Sequence, residues 1–503
     1  MTRPLLITGG RLLDPESDDL HRPPVADLLI EDGRIAAIGA EATRRGVQAE
    51  RLDAGGMLVT PGFVNAHSHS HDALLRGCFE GLPLDAWGTF AFPSAWARRP
   101  DAEVHLRTRL HAAECLMHGI TTVQDMVTLQ GADRAQAEAV IDAWRGAGIR
   151  ALLGWQLGDR GMADTLPFAR EVLPPEILST LPGDADPAPG IRLAEDLLGA
   201  VDGPLLGSVL APSAPQRCSS ALLEWAAALS RERGLPVCTH VYETRVQAVL
   251  ARQPAHEADG FSLLGRLERH GLLNERLVIA HGVWISPEEI ARLGAAGGHL
   301  ACNPAANLKL LNGAAPLRRY AKAGAGVALG CDNSSAGDAQ SLFSSMRHAA
   351  LYWSMQAGGP EEASEAAFRA ATLGGARALG LQGVVGGLRP GYRADLALFD
   401  LSDPAWLPLN SAVRQLVHAE PARSLRHVLV EGRVALRDGR PLGFDMKALA
   451  AELEAARDGI AHELATLRER RAPLAEALLR LEARSRSWPL ETDRLLLDDG
   501  GLH

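Results

Sequence analysis

The chain has 503 residues, a formal net charge of -10 and 47% hydrophobic residues, a composition typical of a globular protein with two or three domains. The acidic balance and the lack of a clustered basic run argue against a nucleic-acid partner. No apolar run approaches the roughly 18 residues of a membrane span, and the N-terminal residues lack a signal-peptide pattern. The six cysteines are scattered without a Cys-x-x-Cys pair, which indicates reduced thiols and a cytoplasmic protein.

Residues 1–57 are predicted to form short strands with tight turns, because Gly-Gly and Asp-Gly pairs separate apolar runs. Similar apolar runs return at 394–399 and 428–435, within the segment 383–444. We expect these two ends of the chain to build one small β domain around a longer middle.

The middle of the chain, residues 58–382, alternates short apolar strands with helical stretches, which predicts a parallel sheet. Eight such units suit a closed (β/α)8 barrel. A doubly wound open sheet is the alternative, although no Gly-x-Gly-x-x-Gly follows the first strand. Besides the strand that ends in histidines at 67–69, the predicted strands are 119–123, 149–153, 205–210, 236–240, 277–281, 299–303 and 326–332.

The last segment, 445–503, is predicted to be a helical extension. Its leucine and isoleucine side chains at 449, 453, 460, 464 and 467 fall on one helical stripe, which favours a packing or dimerisation role. Pro473 is expected to separate two helices.

Metal-type side chains end several of the predicted barrel strands. His67 and His69 stand at alternate positions and therefore point to the same side of their strand. His240, His281 and Asp332 end the fifth, sixth and eighth strands, and the carboxyl ends of barrel strands meet at one mouth. Imidazoles with one carboxylate predict an open, catalytic zinc or iron site. Chance spacing among 17 histidines is the alternative.

Glu243 follows His240 by three residues, just past the end of the fifth strand. A carboxylate in this position can face the metal without binding it and can move a proton between water and a ring nitrogen or leaving group. The alternative is an acidic residue that only favours a helix N-terminus.

An ordered set of motifs joins these residues: Pro61–His69, Leu75–Gly77, His240–Glu243, His281–Gly282, Asn303–Leu310, Gly330–Asn333 and Pro390–Asp395. The set resembles the metal-dependent amidohydrolase superfamily, in the branch of the cytosine, guanine and S-adenosylhomocysteine deaminases and the atrazine chlorohydrolase-like triazine hydrolases. The resemblance covers about 5 to 440. It implies an α/β fold, a distorted (β/α)8 TIM barrel with a small β-sandwich domain built from both chain ends.

The resemblance also implies roles for the site residues. His281 orients the hydrolytic water or touches the metal, and Glu243 is the proton shuttle. The metal ligands are His67, His69, His240 and Asp332, of which Asp332 also helps to remove the water proton. Binuclear members carry a carboxylated lysine on the fourth strand, but the segment 205–213 contains no lysine. One divalent ion per chain is therefore expected, with zinc favoured and iron as the alternative.

The predicted reaction is hydrolytic deamination, or dechlorination, of an N-heteroaromatic ring in a small-molecule substrate. Hydrolysis of an exocyclic amide, carbamate or urea bond and a non-catalytic metal-binding role are the alternatives. In adenosine-type deaminases a glutamate before the tryptophan recognises ribose. Ala86 stands there in this chain, which argues against a nucleoside; compensation by the neighbouring Asp85 is the alternative. The chain is expected to be a homodimer, and the candidate substrate contacts are His71, Trp87, Asn303 and Asn333.

Overall fold

The computed structural model describes residues 3–201, 203–356, 358 and 362–495. The strands before the barrel are β1 (Leu5–Leu12), β2 (Val25–Glu31), β3 (Arg34–Ile38), β4 (Glu50–Asp53) and β5 (Met57–Pro61). Those of the barrel are β6 (Phe63–His69), β7 (Ile120–Val127), β8 (Arg150–Leu157), β9 (Leu206–Ser208), β10 (Ala211–Pro212), β11 (Val237–Val241), β12 (Leu277–His281), β13 (His299–Cys302), β14 (Gly326–Leu329) and β15 (Asp332–Asn333). The chain returns to the first sheet with β16 (Leu396–Asp400), β17 (Leu425–Val430), β18 (Arg433–Arg437) and β19 (Arg440–Pro441).

The helices lie mainly between the barrel strands and after them. They are α1 (Ala40–Arg45), α2 (Leu84–Ala91), α3 (Asp101–Met117), α4 (Arg134–Ala147), α5 (Ala169–Val172), α6 (Pro175–Leu178), α7 (Ala188–Leu198), α8 (Ser220–Arg233), α9 (Arg245–Ala251), α10 (Leu263–Arg269), α11 (Pro287–Ala295), α12 (Pro304–Lys309), α13 (Leu317–Lys322), α14 (Leu342–Met355), α15 (Ala363–Arg369), α16 (Gly375–Ala378), α17 (Ala412–His418) and α18 (Met446–Arg486).

The barrel consists of two parallel sheets that meet at two seams. One sheet has the order β10-β8-β7-β6-β15, with β9 beside β8, and the other has the order β11-β12-β13-β14. A single bridge between Leu210 and Val237 joins them at one seam. At the other seam, Cys331 N donates to His67 O at 3.1 Å. The predicted (β/α)8 barrel is confirmed, and its distortion lies at these seams, where the ladder of hydrogen bonds is interrupted.

Both ends of the chain contribute to one further sheet, with the order β19-β18-β17-β16-β5-β1-β2-β3 and β4 beside β1. The two ends meet where β5 pairs antiparallel with β16, so that Pro61 lies opposite Leu396. Only Gly62 separates β5 from the first barrel strand, and its N–H donates to Asp395 O at 2.8 Å. A Cβ atom at position 62 would lie 2.2 Å from the side chain of Thr121, so this crossing between the two sheets requires glycine.

A buried ion pair connects the barrel to this sheet. Arg150 of β8 lies 3.3 Å from Asp395 and also pairs with Glu431. The side chains of Arg150 and Asp395 are only 8% and 1% exposed. If one partner is removed, water cannot solvate the charge that remains, and the free energy of unfolding falls.

We predict that Arg150→Met lowers the free energy of unfolding by about 3–5 kcal/mol, because it leaves the buried carboxylate of Asp395 without its cation. Urea denaturation followed by circular dichroism measures the change. Arg134→Met is the matched control, because Arg134 pairs with Asp196 on the surface, where both side chains are at least half exposed. An equal loss of stability in both variants would contradict a special contribution from the buried pair.

The C-terminal helix α18 runs without interruption through Pro473, so the predicted break at this proline is wrong. A proline inside a helix costs about 3 kcal/mol. Apolar side chains on both sides of it are buried against the barrel, Leu464 and Leu467 before it and Leu478 and Leu481 after it. Each buried leucine contributes about 1.5–3 kcal/mol, so packing outweighs the penalty.

Helix α18 packs over loops at the mouth of the barrel. Its residues Ile460 and Leu464 share a cluster with Trp87 and Phe90 of α2, while Leu478 packs near Val246 of α9. The apolar stripe seen in the sequence is therefore covered within the same chain. Among the described residues, none of the helices combines the length and the apolar character that crossing a bilayer requires.

Candidate metal centre

Five side chains predicted at the ends of four strands converge at the mouth of the barrel. Asp332 Oδ1 lies 3.6 Å from His67 Nε2 and 3.5 Å from His69 Nε2. Its other oxygen, Oδ2, lies 3.9 Å from His281 Nε2. His240 Nε2 approaches His69 Nε2 to 3.3 Å. All five residues are buried, so the structure assembles a buried cluster from β6, β11, β12 and β15.

The hydrogen bonds of this cluster leave bare nitrogen lone pairs facing each other. His69 Nδ1 lies 2.7 Å from Met126 O, and His240 Nδ1 lies 2.6 Å from Ser213 O. A carbonyl oxygen only accepts, so both Nδ1 atoms carry the hydrogen and both Nε2 atoms are unprotonated in the neutral rings. Burial lowers the pKa of both rings well below the usual range. Two lone pairs at 3.3 Å repel each other unless a cation lies between them, so the donor set fits a metal ion.

His67 and Asp332 add to this fit. His67 Nε2 is buried and has no hydrogen-bond partner among the described residues. Burial opposes the ionisation of Asp332, yet His281 and His67 beside it hold its pKa below the usual range. Two overlapping triplets, His67 with His69 and His240 and His67 with His281 and Asp332, bring their ligand atoms within 4.8 Å of one another. An anionic carboxylate among neutral imidazoles is the arrangement that zinc binds.

Two of these residues adopt a backbone conformation that side chains rarely take. His281 has φ 71° and Asp332 has φ 63°, both in the left-handed region, which costs about 1–3 kcal/mol at each non-glycine residue. Such strain concentrates at functional sites, where the surrounding structure compensates for it. The sequence gives no signal for this turn, because both residues follow ordinary apolar strands.

Asn307 fixes the orientation of His281. Its Oδ1 accepts a hydrogen bond from His281 Nδ1 at 2.8 Å, which turns Nε2 toward Asp332. We predict that Asn307→Ala lowers turnover by about 10- to 100-fold and leaves metal affinity largely unchanged, because His281 loses the hydrogen bond that orients it and is not one of the proposed ligands. Metal titration and kcat measurement check this result. Asn410→Ala, at an exposed position, is the control and should leave both values unchanged; an unaffected Asn307 variant would contradict the positioning role.

Glu243 lies beside this cluster, with its Oε2 3.6 Å from His281 Nε2. Asn312 Nδ2 donates to the other oxygen, Oε1, at 3.1 Å, and the backbone N–H of Glu243 donates to Gln247 Oε1 at 2.8 Å. Burial raises the pKa of Glu243 to about 7, although His281 opposes this shift. The carboxyl is thus fixed through one oxygen, has the other beside the cluster, and can hold or release a proton near neutral pH.

A charged pair that is visible only in the structure lies near Glu243. Arg217 lies 4.0 Å from Asp85, and the charges of both residues act on the pKa of Glu243. Asp85 is in the first turn of α2, and Arg217 follows the fourth-strand segment. Only the folded barrel brings them together, so motif spacing cannot reveal the pair.

The candidate substrate contacts lie in different surroundings. Asn333 is opposite His69 in the register of β15 and β6, and its Nδ2 lies 3.3 Å from His71 Nε2. Neither polar side-chain atom of Asn303 has a hydrogen-bond partner among the described residues. A Cβ atom at Gly330 would lie 2.2 Å from Asn303 Oδ1 and 2.9 Å from His67 Cβ, which places this amide close to the metal-site strand.

Trp87 lies in the apolar cluster under α18. Its Nε1 donates to Ser335 Oγ at 3.0 Å, and its ring contacts Phe92 edge-on with centroids 5.4 Å apart. These contacts hold the Trp87 side chain within the apolar cluster. Its stacking on a substrate ring stays a prediction. A cleft of about 680 Å³ lies elsewhere, between Pro15–Asp18, α13 and α14, and none of the candidate site residues lines it. The volume of a cleft therefore does not identify the site in this protein.

Comparison with known proteins places the whole arrangement in context. A model of the Amidohydrolase family matches residues 58–435. A 5-methylthioadenosine/S-adenosylhomocysteine deaminase from Pyrococcus furiosus is 33% identical over 439 residues, which span 86% of this chain and 96% of the relative. An adenosine deaminase from Xanthomonas campestris, solved with bound zinc, is 28% identical with a TM-score of 0.79, over 91% of this chain and 98% of that one. Atrazine chlorohydrolase from Arthrobacter aurescens TC1, complexed with zinc, is 25% identical with a TM-score of 0.78, over 90% and 99% of the two chains.

Proposed function

Because this chain belongs to the amidohydrolase family, whose members are metal-dependent hydrolases, we propose that it deaminates an N-heteroaromatic ring with the help of one divalent metal ion. The chain is a hydrolase that acts on carbon–nitrogen bonds other than peptide bonds. The observation that carries the proposal is the free Oε2 of Glu243, 3.6 Å from His281 Nε2 at the edge of the cluster. A shuttle at this place suits proton transfer to a ring nitrogen and a departing amine.

The proposed ligands are His67, His69, His240 and Asp332, and the proposed ion is zinc. Facing lone pairs on His69 and His240 support the ligand set. The zinc in the adenosine deaminase and the atrazine chlorohydrolase supports the choice of metal. The absence of lysine from 205–213 favours a single ion, because a second ion in this superfamily needs a carboxylated lysine as a bridge.

In the proposed mechanism, the metal supplies Lewis-acid activation of water at neutral pH. Asp332 Oδ2 and His281 Nε2, which are 3.9 Å apart, hold the water proton and orient its oxygen toward the substrate carbon. Glu243 Oε2 gives the first water proton to the ring nitrogen, while Asn312 keeps Oε1 in place. The second water proton, which comes from the added hydroxyl group, passes through Asp332 and Glu243 to the departing amine, which leaves as ammonia. The buried surroundings exclude bulk water and strengthen these charge interactions.

The substrate is proposed to be a heteroaromatic base without an obligatory ribose. Position 86 is a fully buried alanine, which has no side-chain acceptor for a sugar hydroxyl. The deaminase relatives act on nucleosides by name, whereas the atrazine chlorohydrolase acts on a triazine. Displacement of chloride from such a ring is therefore the second candidate, because the same apparatus acts on another leaving group.

A substrate screen tests the proposal. Ammonia release from aminated purines, pyrimidines, pteridines and triazines, each compared with its nucleoside where one exists, should identify a free base as the better substrate. Chloride release from chlorotriazines measures the second candidate. Turnover only of aryl ureas, carbamates or exocyclic amides would contradict ring deamination and support the alternative hydrolysis. Complete inactivity of the zinc-loaded protein on all classes would favour a non-catalytic role.

A homodimer and a cytoplasmic location complete the proposal. The uniformly unpaired cysteines of the described chain support a reducing compartment. Light scattering during size-exclusion chromatography measures the mass, and a monomeric mass would contradict the dimer.

A further inference from the structure

A small cavity of about 30 Å³ lies behind the metal centre, between the loop after β6, helix α3 and helix α18. Apolar side chains form much of its wall. The side chains that determine its chemistry are His71, Arg99, Glu103 and Arg107, with Ile460 of α18 packed beside them. We refer to it as the Arg107 cavity. The volume accommodates about two water molecules or one small ion.

Arg107 is the unusual feature of this cavity. It is only 5% exposed, and within the described part of the chain it has no ion pair within 4.0 Å and no hydrogen bond. Its Nε is buried without a partner. Burial lowers its pKa to about 10, so the guanidinium is still charged at neutral pH. A buried donor without an acceptor destabilises the folded protein, so this arginine calls for an acceptor in the cavity.

The neighbouring carboxylates are occupied by other donors. Arg99 Nε donates to Glu103 Oε1 at 2.7 Å. Asp125 accepts from Ser70 N at 2.9 Å, and Asp72 accepts from Ser334 N at 3.0 Å. The wall of the Arg107 cavity carries Arg99, Arg107 and a single carboxylate, Glu103, which Arg99 binds. The charges of Asp72 and Asp125 also act on Arg107, but within the described residues neither carboxylate forms an ion pair or a hydrogen bond with its guanidinium, so its Nε–H still lacks an acceptor.

His71 provides a second donor in the same wall. The amide Nδ2 of Asn333 donates to His71 Nε2 at 3.3 Å, so the hydrogen of the ring is on Nδ1. This Nδ1 is buried and has no protein partner among the described residues. A charged guanidinium and a neutral N–H that both lack acceptors match the needs of one small anion.

We propose that Arg107 and His71 bind a monovalent anionic group in the Arg107 cavity, either a carboxylate that is a substituent of the substrate or a free halide or formate ion. The His71 and His69 rings have centroids 5.2 Å apart, so a group held by His71 lies next to the metal centre. Occupancy by a free anion does not depend on which reaction the enzyme catalyses, whereas occupancy by a substrate carboxylate rests on the function proposed above.

Crystals of the zinc-loaded enzyme soaked in sodium bromide test the site directly. An anomalous bromide peak in contact with Arg107 and His71 is expected, and it should be absent from Arg107→Gln crystals. Arg109→Gln is the control on the same helix, because Arg109 pairs with Glu452 at the surface, and it should retain the peak. Water alone in the cavity would overturn the proposal. A bromide peak that persists in Arg107→Gln would also overturn it, because it would identify an adventitious ion only.

A solution measurement protects this test against a misfolded variant and separates the two sources of the anion. Formate should raise the melting temperature of the wild type saturably, and Arg107→Gln should weaken its binding by about 10- to 100-fold, with Arg107→Lys intermediate. If formate competes with carboxylated heteroaromatic substrates but does not slow the turnover of neutral ones, the natural occupant of the site is a carboxylate of the substrate. If formate raises the melting temperature without competing with any substrate, the natural occupant is a free anion. No saturable effect of formate or chloride on the folded wild type would overturn the proposal.

Discussion

Glu243→Gln is expected to lower kcat by about 10²- to 10⁴-fold, the usual contribution of a positioned general acid or base. Glutamine keeps the shape of the side chain and the contact of Oε1 with Asn312, but it cannot take up or release the proton at Oε2. Ammonia release by the zinc-loaded variant, on a substrate identified by the screen, measures the loss. Metal content should stay unchanged, because the proposed ligands are other residues.

The control for this variant is Glu288→Gln, which removes an exposed carboxylate at the start of α11 and should leave kcat unaffected. KM should change little in the Glu243 variant if the carboxyl acts mainly in the transition state. Full turnover by Glu243→Gln would show that another group moves the proton.

His240→Ala is expected to release the metal and to lower activity by on the order of a thousandfold or more, because the activation of water depends on the ion. The wild-type protein should bind one zinc per chain by elemental analysis, and chelation should abolish activity that added zinc restores. The alanine variant should bind much less than one ion under the same conditions.

His462→Ala, on an exposed face of α18, is the matched control and should keep both the ion and the activity. Two tightly held ions in the wild type would contradict the mononuclear proposal, since it is based on the lack of a lysine in 205–213. A His240 variant that keeps a full complement of zinc would contradict its role as a ligand.

Much of the barrel was predictable because each strand is a short apolar run with its chemistry at the end. The predicted strand 277–281 coincides with β12, and 236–240 differs from β11 by one residue at each end. Barrel topology then brings remote strand ends together, so His67, His240 and Asp332 were expected to meet although they are far apart in sequence. The pattern is strong because branched apolar side chains dominate the interior of such a barrel.

The remaining features depend on tertiary contacts that leave no local pattern. Asn312 reaches Glu243 from beyond α12, and Arg107 is an unremarkable position on a helix until its lack of partners is seen in three dimensions. The continuity of α18 through Pro473 was also out of reach, because local propensity favours a break and only the burial on both sides reverses it. Helix and strand signals come from spacing, whereas partners and strain come from the completed fold.

The hydrogen bond of Gly62 limits the order in which the strands can complete their pairing while the chain is being synthesised. The strand that leads into His67 is held at its entrance by a carbonyl group more than three hundred residues later. A ribosome must therefore translate most of the message before that strand has its final neighbours. A nascent chain halted before β16 would leave the hydrogen-bonding groups on one edge of β5 without partners.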